Sequence, residues 1–413
     1  MKKQLFVWAC GILMAACSTT QEDSAIVIDL TAPADTVCYL SEIADSIVYY
    51  PLAVPYLVEA EVLGKYIYAY SRMDNSLRMF DRNNKQLVKN ISFGALIGGP
   101  GYQPYFAIPA NTHFPFEKEE WFICPRREEK GNKVFYSSAI LNTLTEEWGE
   151  SIAFPDYGYA QINDYVIKYR PGTIMITKRD TIQWFNRDMK LIKEDVLDEL
   201  VLDYPYVGLY EKFNVLKDKV YYHAPTSHVI YEVSPEQDPI PLYRFELGSH
   251  RSRFKEFADY ELTTKMGYKN EKYNSSPYYL LRSSKISEHY IWGAYNYKGK
   301  TIAVLFDKAN ERTYTLPTKN RFDRVDYPIV EGGLTNDLDG GLDFWPKRIS
   351  KNGEIFTWYT VEELKAKVAQ SHSGQMKNPD TARRLKEMLD NLPEDVNVIV
   401  AVLKEKKVKN SFF

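Results

Sequence analysis

Six times along this 413-residue chain a short polar step leads into a run of aromatic and β-branched residues, and that recurrence restricts the fold more than any other feature. The clearest copy lies between Lys65 and Gly101. Tyr66-Ile67-Tyr68-Ala69-Tyr70, Leu77-Arg78-Met79-Phe80-Asp81 and Leu87 to Phe93 are three β-prone runs, joined by polar turns at Asp74-Asn75 and Asn83-Asn84. Aromatic and branched side chains fit a pleated, half-buried surface and Asn and Asp accept turn dihedrals, so the stretch predicts an antiparallel meander. The entry signal returns before Phe122, Val166, Val220, Ile291 and Ile355.

From Ile67 onward these residues are spaced by 55, 44, 54, 71 and 64 positions. Four-stranded propeller blades repeat at about 40 to 50 residues, and loop insertions lengthen them. The spacing therefore predicts an all-β, six-bladed β-propeller of four-stranded antiparallel blades; unrelated hairpins in a β-sandwich are the alternative. A ring must also hide its sheet edges. Ile47 to Leu52, stopped at Pro51 and lacking a partner immediately after it, is expected to pair with Val396 to Leu403 and close the sixth blade. Two insertions interrupt the rhythm. Arg251 to Ser284 is either a flap over one mouth of the ring or a surface excursion. Thr360 to Leu392 reads as a helical insertion, with Val361, Leu364 and Val368 on one face, Leu385, Met388 and Leu389 on another, and Asp380-Thr381 capping the second helix.

The balance of 52 basic and 55 acidic residues is too even for a nucleic-acid binder, which needs a concentrated basic field. The N-terminus points to the cell envelope. Lys2-Lys3 precedes an apolar run from Leu5 to Ala16, too short to span a bilayer comfortably, and Met14-Ala15-Ala16 leads into Cys17. This pattern looks like a bacterial lipobox; a plain secretory signal or a short anchor is the alternative. The expected organisation is a signal peptide over 1–16, a lipidated Cys17 and tether over 17–36, and the propeller over 37–413, with the helical insertion at about 360–392. Several acyl chains at about 0.8 kcal/mol per methylene would hold such a protein on a membrane. Cys38 and Cys124 could pair in an oxidising compartment or remain separate.

Four further segments carry a resemblance: Leu40-Ser41-Glu42-Ile43 before the Tyr49 strand, Phe80-Asp81-Arg82-Asn83 with Gly98-Gly99-Pro100-Gly101-Tyr102, Asn336 to Leu342 with Phe344-Trp345-Pro346, and the Leu385 helix leading into Val398 to Lys404. Together they resemble the six-bladed β-propeller lipoproteins of bacterial envelopes, related in architecture to NHL-type propellers. The chain departs from that pattern at Tyr102-Gln103, where Glu is common after Gly-Pro-Gly, and at Asp343, where Pro is common. The resemblance implies a fold and an outer-membrane, periplasmic or surface-facing location, and no particular reaction.

No Gly-x-Ser-x-Gly elbow or His-Glu-x-x-His motif occurs, the six histidines are scattered, and no catalytic residue is assigned. Gly293 to Thr301 has the wrong spacing for a phosphate loop and sits between two β runs, so it reads as a hairpin. Asp337, Asp339 and Asp343 around Gly340-Gly341 are the best set of hard oxygen ligands and could hold Ca2+; a glycine-rich turn with Asp caps explains the same residues. Gly98, Gly99 and Gly101 could offer backbone N–H groups to an anion, and Trp345 could stack on a ligand. The sequence thus favours a membrane-anchored module that binds a glycan, a peptide or an outer-membrane protein. The alternative is a metal-dependent lyase or lactonase-like hydrolase using the central channel.

Overall fold

In this computed structural model the described residues are 24–33, 35–71, 73–74, 76–92, 113–114, 121–130, 133–152, 159–162, 165–170, 181–186, 190–197, 213–223, 227–250, 280–281, 284–297, 300–319, 330–371 and 376–406. Two strands, β1 (Ile26–Asp29) and β2 (Ala44–Leu52), precede the first meander. Sheet I follows as β3 (Leu57–Leu63), β4 (Tyr66–Ser71), β5 (Ser76–Asp81) and β6 (Leu87–Ser92), antiparallel in that order. Sheet II is β7 (His113–Phe114), β8 (Trp121–Lys130), β9 (Lys133–Asn142) and β10 (Trp148–Ile152). Sheet III is β11 (Tyr159–Ile162), β12 (Tyr165–Arg170), β13 (Thr181–Phe185) and β14 (Leu191–Val196).

Sheet IV joins β15 (Phe213–Leu216), β16 (Lys219–Tyr222), β17 (Val229–Val233) and β18 (Ile240–Glu246), and β1 lies parallel against the outer edge of β18. Sheet V contains β19 (Leu280–Leu281), β20 (Lys285–Ile286), β21 (Tyr290–Tyr297), β22 (Lys300–Asp307) and β23 (Arg312–Leu316). A small ladder of β24 (Thr318–Lys319) and β25 (Glu331–Gly332) leads to sheet VI, made of β26 (Arg348–Ile349), β27 (Ile355–Thr360), β28 (Val398–Glu405) and β2. The expectation of uniform four-stranded units thus holds for four sheets, while IV and V carry a fifth strand.

The repeated aromatic runs are the second strands of their sheets. First strands neighbour one another in sequence, β7 beside β11, β11 beside β15, β15 beside β20 and β20 beside β26, which gives a propeller-like arrangement of small antiparallel sheets. Apolar clusters fill the spaces between sheets: Tyr68, Met79 and Leu141 between I and II, Trp184, Phe213 and Tyr222 between III and IV, and Ile230, Phe245, Ile291 and Phe306 between IV and V. Trp292, Leu305, Ile355 and Ile399 join V to VI, and Phe356, Val400, Val62 and Phe80 join VI to I. Sheets I, IV, V and VI bury both faces in these clusters, so their strands need apolar residues on both sides.

The N-terminal strand takes the partner expected of it. Ile47 faces Leu403 and Leu52 faces Val398 in the β2–β28 ladder. Before reaching sheet VI, the segment read as a tether runs along sheets IV and V, through β1 on β18 and a bridge from Thr36 to Thr315. Helices α1 (Val361–Gln370) and α2 (Pro379–Asp390) form the expected insertion. Thr360 and Glu363 make a reciprocal capping box on α1. The second cap is not Asp380-Thr381: Asn378 Oδ1 accepts from the Thr381 N–H at 3.1 Å and Pro379 is the first helical residue, a position where its missing N–H has no cost. Gly293 lies within β21 and the turn falls between Tyr297 and Lys300, as the hairpin reading requires. Arg251 to Tyr279 lies outside the described residues.

Candidate functional site at the seam of the first and last sheets

The hairpin between β26 and β27 turns at Gly353, whose φ of 86° strains any side chain. Its N–H donates to Ser350 O at 2.8 Å, and the Glu354 N–H donates to Ser350 Oγ at 3.1 Å. This turn presents the Glu354 carboxylate to sheet I. There Arg82, fixed by its own N–H to Lys65 O at 2.9 Å, donates from Nη1 to Gly64 O and Glu354 Oε2 and from Nη2 to Glu354 Oε1, at 2.7, 2.9 and 2.6 Å. The guanidinium lies 5.4 Å from the centre of the Tyr50 ring on β2, a cation–π distance. The pair closes one side of a pocket of about 400 Å³ whose lining includes Tyr50, Arg82, Asn352, Glu354, Lys404 and Glu405. Four separate stretches of chain, from β2, the turn after β5, the β26–β27 hairpin and β28, are needed to build it.

Glu405 connects the pocket to a second polar group. Its Oε1 accepts from Ser287 Oγ at 2.6 Å, and Ser287 O accepts from Lys308 Nζ at 2.6 Å. Lys217 and Glu288 pair beside them at 3.0 Å. Burial pushes the Lys308 amine down to about 8, despite the opposing pull of Glu405 and Glu288. Burial also raises the Glu405 carboxyl, against the Ser287 hydrogen bond and the positive charges nearby. Both groups therefore shift toward their neutral forms.

A family profile described as a Domain of unknown function (DUF4934) matches residues 56–404. The chain belongs to the DUF4934 family. The DUF4934 match runs from the start of sheet I to the end of β28, and leaves β1 and β2 outside it. No curated protein matches the sequence. Among solved structures, a Bacteroides fragilis NCTC 9343 protein described as exported superimposes with a TM-score of 0.56 at 16% identity, over 93% of this chain and all of that one, and so shares the fold. A Bacteroides thetaiotaomicron VPI-5482 protein of unknown function gives a TM-score of 0.38 at 11% identity, over 78% of this chain and 72% of that one. Pyrococcus horikoshii acylaminoacyl peptidase gives 0.36 at 10% identity, over 64% of this chain and 39% of that one.

The residues singled out by sequence fall elsewhere in this DUF4934 chain. Asp337 accepts from the Ser41 N–H and Oγ at 2.9 and 2.5 Å, fastening the N-terminal segment. Asp339 is 2% exposed, and its Oδ1 accepts from Tyr49 Oη, Asn336 Nδ2 and the Gly341 N–H at 3.0, 2.7 and 3.1 Å. Asp343 offers its backbone O to Tyr359 Oη at 3.1 Å. Among the described residues no three His, Cys, Asp or Glu side chains are grouped as a metal site, and the Asp337 and Asp339 carboxylates of this loop accept hydrogen bonds from protein groups. Trp345 is half-buried and packs edge-on against Trp292 at 5.9 Å, as part of the core between sheets V and VI. Cys38 is a free thiol. Cys17, Gly98, Gly99 and Gly101 lie outside the described residues.

No local sequence signal marks the seam. Arg82 falls in the Phe80-Asp81-Arg82-Asn83 segment and Glu354 in the polar step before Ile355, and neither carries a site reading there. The recurrent turn after the third strand was available as a positional guide: Asp81, Asn142 and Asp307 each accept two N–H groups from the following residues, with Lys85, Glu146 and Glu311 at positive φ four positions on. That signature would have aligned Arg82 with Lys308, both one residue past the turn acceptor.

Proposed function

We propose that the chain is a six-bladed, NHL-like propeller lipoprotein of the bacterial envelope, anchored to a membrane through Cys17, that acts as a binding module with its ligand in the seam pocket. The observation carrying the reading is the pocket: about 400 Å³, within the size range of small-ligand sites, lined by two cations, two carboxylates and a tyrosine. With Arg82 and Lys404 set against Glu354 and Glu405, the lining favours a ligand of no net charge and many hydrogen-bonding groups, such as a sugar or a short peptide segment. Six blades are supported by the six sheets of four or five strands among the described residues and by the apolar packing of sheet VI on sheet I. The exported description of the Bacteroides fragilis structure is in keeping with an envelope location.

Thermal melts against a panel of neutral saccharides and short peptides test the binding reading. A true ligand at a hundred times its Kd adds about 2.7 kcal/mol to the folded state, and Lys404→Ala weakens that gain. A panel without any stabilising member, or one whose effect ignores Lys404→Ala, overturns it. Palmitate labelling of the wild type that disappears in Cys17→Ala tests the anchor.

A further inference from the structure

We propose that Lys308 is a covalent-capture site for small aldehydes, its side-chain amine condensing with the carbonyl to an imine. Two fixed contacts hold the residue. Its backbone N–H donates to His289 O at 3.0 Å, and Asp307 Oδ1 clamps the turn by accepting from the Ala309 and Asn310 N–H groups at 2.9 and 3.2 Å. The side chain is half-buried, and Nζ lies 5.9 Å from the centre of the Tyr221 ring.

The decisive feature is the missing counter-ion. Among the described residues Nζ donates to one acceptor, the neutral Ser287 O at 2.6 Å, and no carboxylate forms an ion pair with it. Lys217 and Lys219 on the same side of the molecule each hold a carboxylate, Glu288 at 3.0 Å and Glu232 at 2.8 Å. Glu405, the remaining acid nearby, accepts from Ser287 Oγ at 2.6 Å. The titratable groups around the amine are thus Glu405, Glu288, Glu232, His289, Lys217, Lys219, Tyr221 and Tyr290, and its closest acids already have partners. A desolvated amine with no fixed anion favours its neutral form, and the lowering to about 8 agrees.

A neutral amine that donates one N–H to Ser287 O keeps its lone pair for attack. The nitrogen adds to the carbonyl carbon, and the amine proton moves to the carbonyl oxygen to give a carbinolamine. Loss of that oxygen as water leaves the imine. One aldehyde is consumed and one water released, without oxidant or reductant. The step is independent of the seam pocket, because Lys308 does not line it.

The folded full chain is treated with propionaldehyde, each imine is trapped with cyanoborohydride, and alkylation is read lysine by lysine by mass spectrometry from pH 6.5 to 10. At pH 7.5 Lys308 reacts on the order of tenfold faster than the exposed Lys365. Its rate levels off with a midpoint near pH 8, and the advantage disappears in denaturant. Lys308→Arg removes the fast site while the chain stays folded. A Lys308 rate equal to or below that of Lys365, or one rising in parallel with it to pH 10, overturns the proposal. Lys404→Ala leaves the fast site intact, so loss of ligand binding in the pocket and loss of aldehyde capture are read separately.

Discussion

Arg82 and Glu354 stand 272 positions apart in the chain and meet at 2.6 Å, tying the turn after β5 to the start of β27. Both side chains are mostly shielded, and Arg82 also braces Gly64 O and Tyr50. Removing one partner leaves the other desolvated and unpaired, which costs more than the pair itself contributes. Arg82→Ala is therefore expected to lower stability by about 1–3 kcal/mol in urea unfolding. In a double-mutant cycle with Glu354→Ala, a coupling of about 1 kcal/mol or more is expected. Additive losses would mean that the two residues act separately.

Asp339 makes the stability of the helical insertion depend on pH. Burial raises its carboxyl above the ordinary 3.8, outweighing the hydrogen bonds from Gly341, Tyr49 and Asn336, and its Oδ2 has no hydrogen-bond partner. A raised carboxyl binds its proton more tightly in the folded chain than in the unfolded one. Its stabilising contribution is complete below the unfolded value and is lost as pH rises through the folded value. Asp339→Asn keeps the accepting oxygen and removes the ionisation. Its melting temperature is expected to fall less than that of the wild type as pH is raised from 4 toward neutral. Parallel curves would remove Asp339 from the account.

The sequence carried those parts of the fold that depend on periodicity within a short window. Tyr66 to Tyr70 and Ile355 to Phe356 are strands because their apolar residues face cores on both sides, and Ile47 to Leu52 was recognisable as a strand without a neighbour. The first strands were harder to see. Leu57 to Leu63 mixes Glu59 and Glu61 with Ala60 and Val62: the two small apolar residues pack against sheet VI, while Glu59 pairs with Arg348 of β26. Likewise Asn214 on β15 donates to Ser284 O at 2.9 Å and accepts from the Ile286 N–H at 3.4 Å, side chain standing in for ladder. Asp337 and Asp339 resembled ligands because a loop that fastens distant segments through carboxylates uses the same residues as one that binds calcium. The Arg82–Glu354 pairing was harder to read than the β2–β28 closure, because the two residues become neighbours only when the last sheet meets the first.

The role of β2 can be tested by shortening the chain. Without β2, β28 would present an unpaired edge along Val398 to Glu405, six of whose eight residues are buried in the folded protein. Such an edge is a template for pairing with other chains. A chain starting at residue 44 is expected to elute in size-exclusion chromatography as the full chain does, with a lower melting temperature because the contacts of β1 and Ser41 are gone. One starting at residue 53 is expected to aggregate. A monomeric chain without β2 would mean that closure through the N-terminal strand is dispensable.

Gly341 and Gly293 separate a close-approach glycine from a tolerant one. A Cβ on Gly341 would stand 2.6 Å from Tyr49 Oη, 2.8 Å from Asn336 Nδ2 and 3.2 Å from Asp339 Oδ1, all members of one buried hydrogen-bonded group with no room to retreat. Gly341→Ala is expected to cost about 1–3 kcal/mol through overpacking, and more if the Tyr49–Asp339 bond is broken. At Gly293 the added methyl is tight only against Val304 Cγ2 at 3.2 Å, with Ser284 Oγ and Phe245 Cε1 at ordinary contact distances of 3.7 and 4.0 Å. Alanine there gains the strand preference that glycine lacks, by about 0.5–1 kcal/mol, which offsets a slight shift of Val304. Denaturant midpoints should therefore drop for Gly341→Ala and stay near wild type for Gly293→Ala. Equal midpoints would mean that the Asp339 loop can move aside, and that it does not rigidly join β2 to the helices.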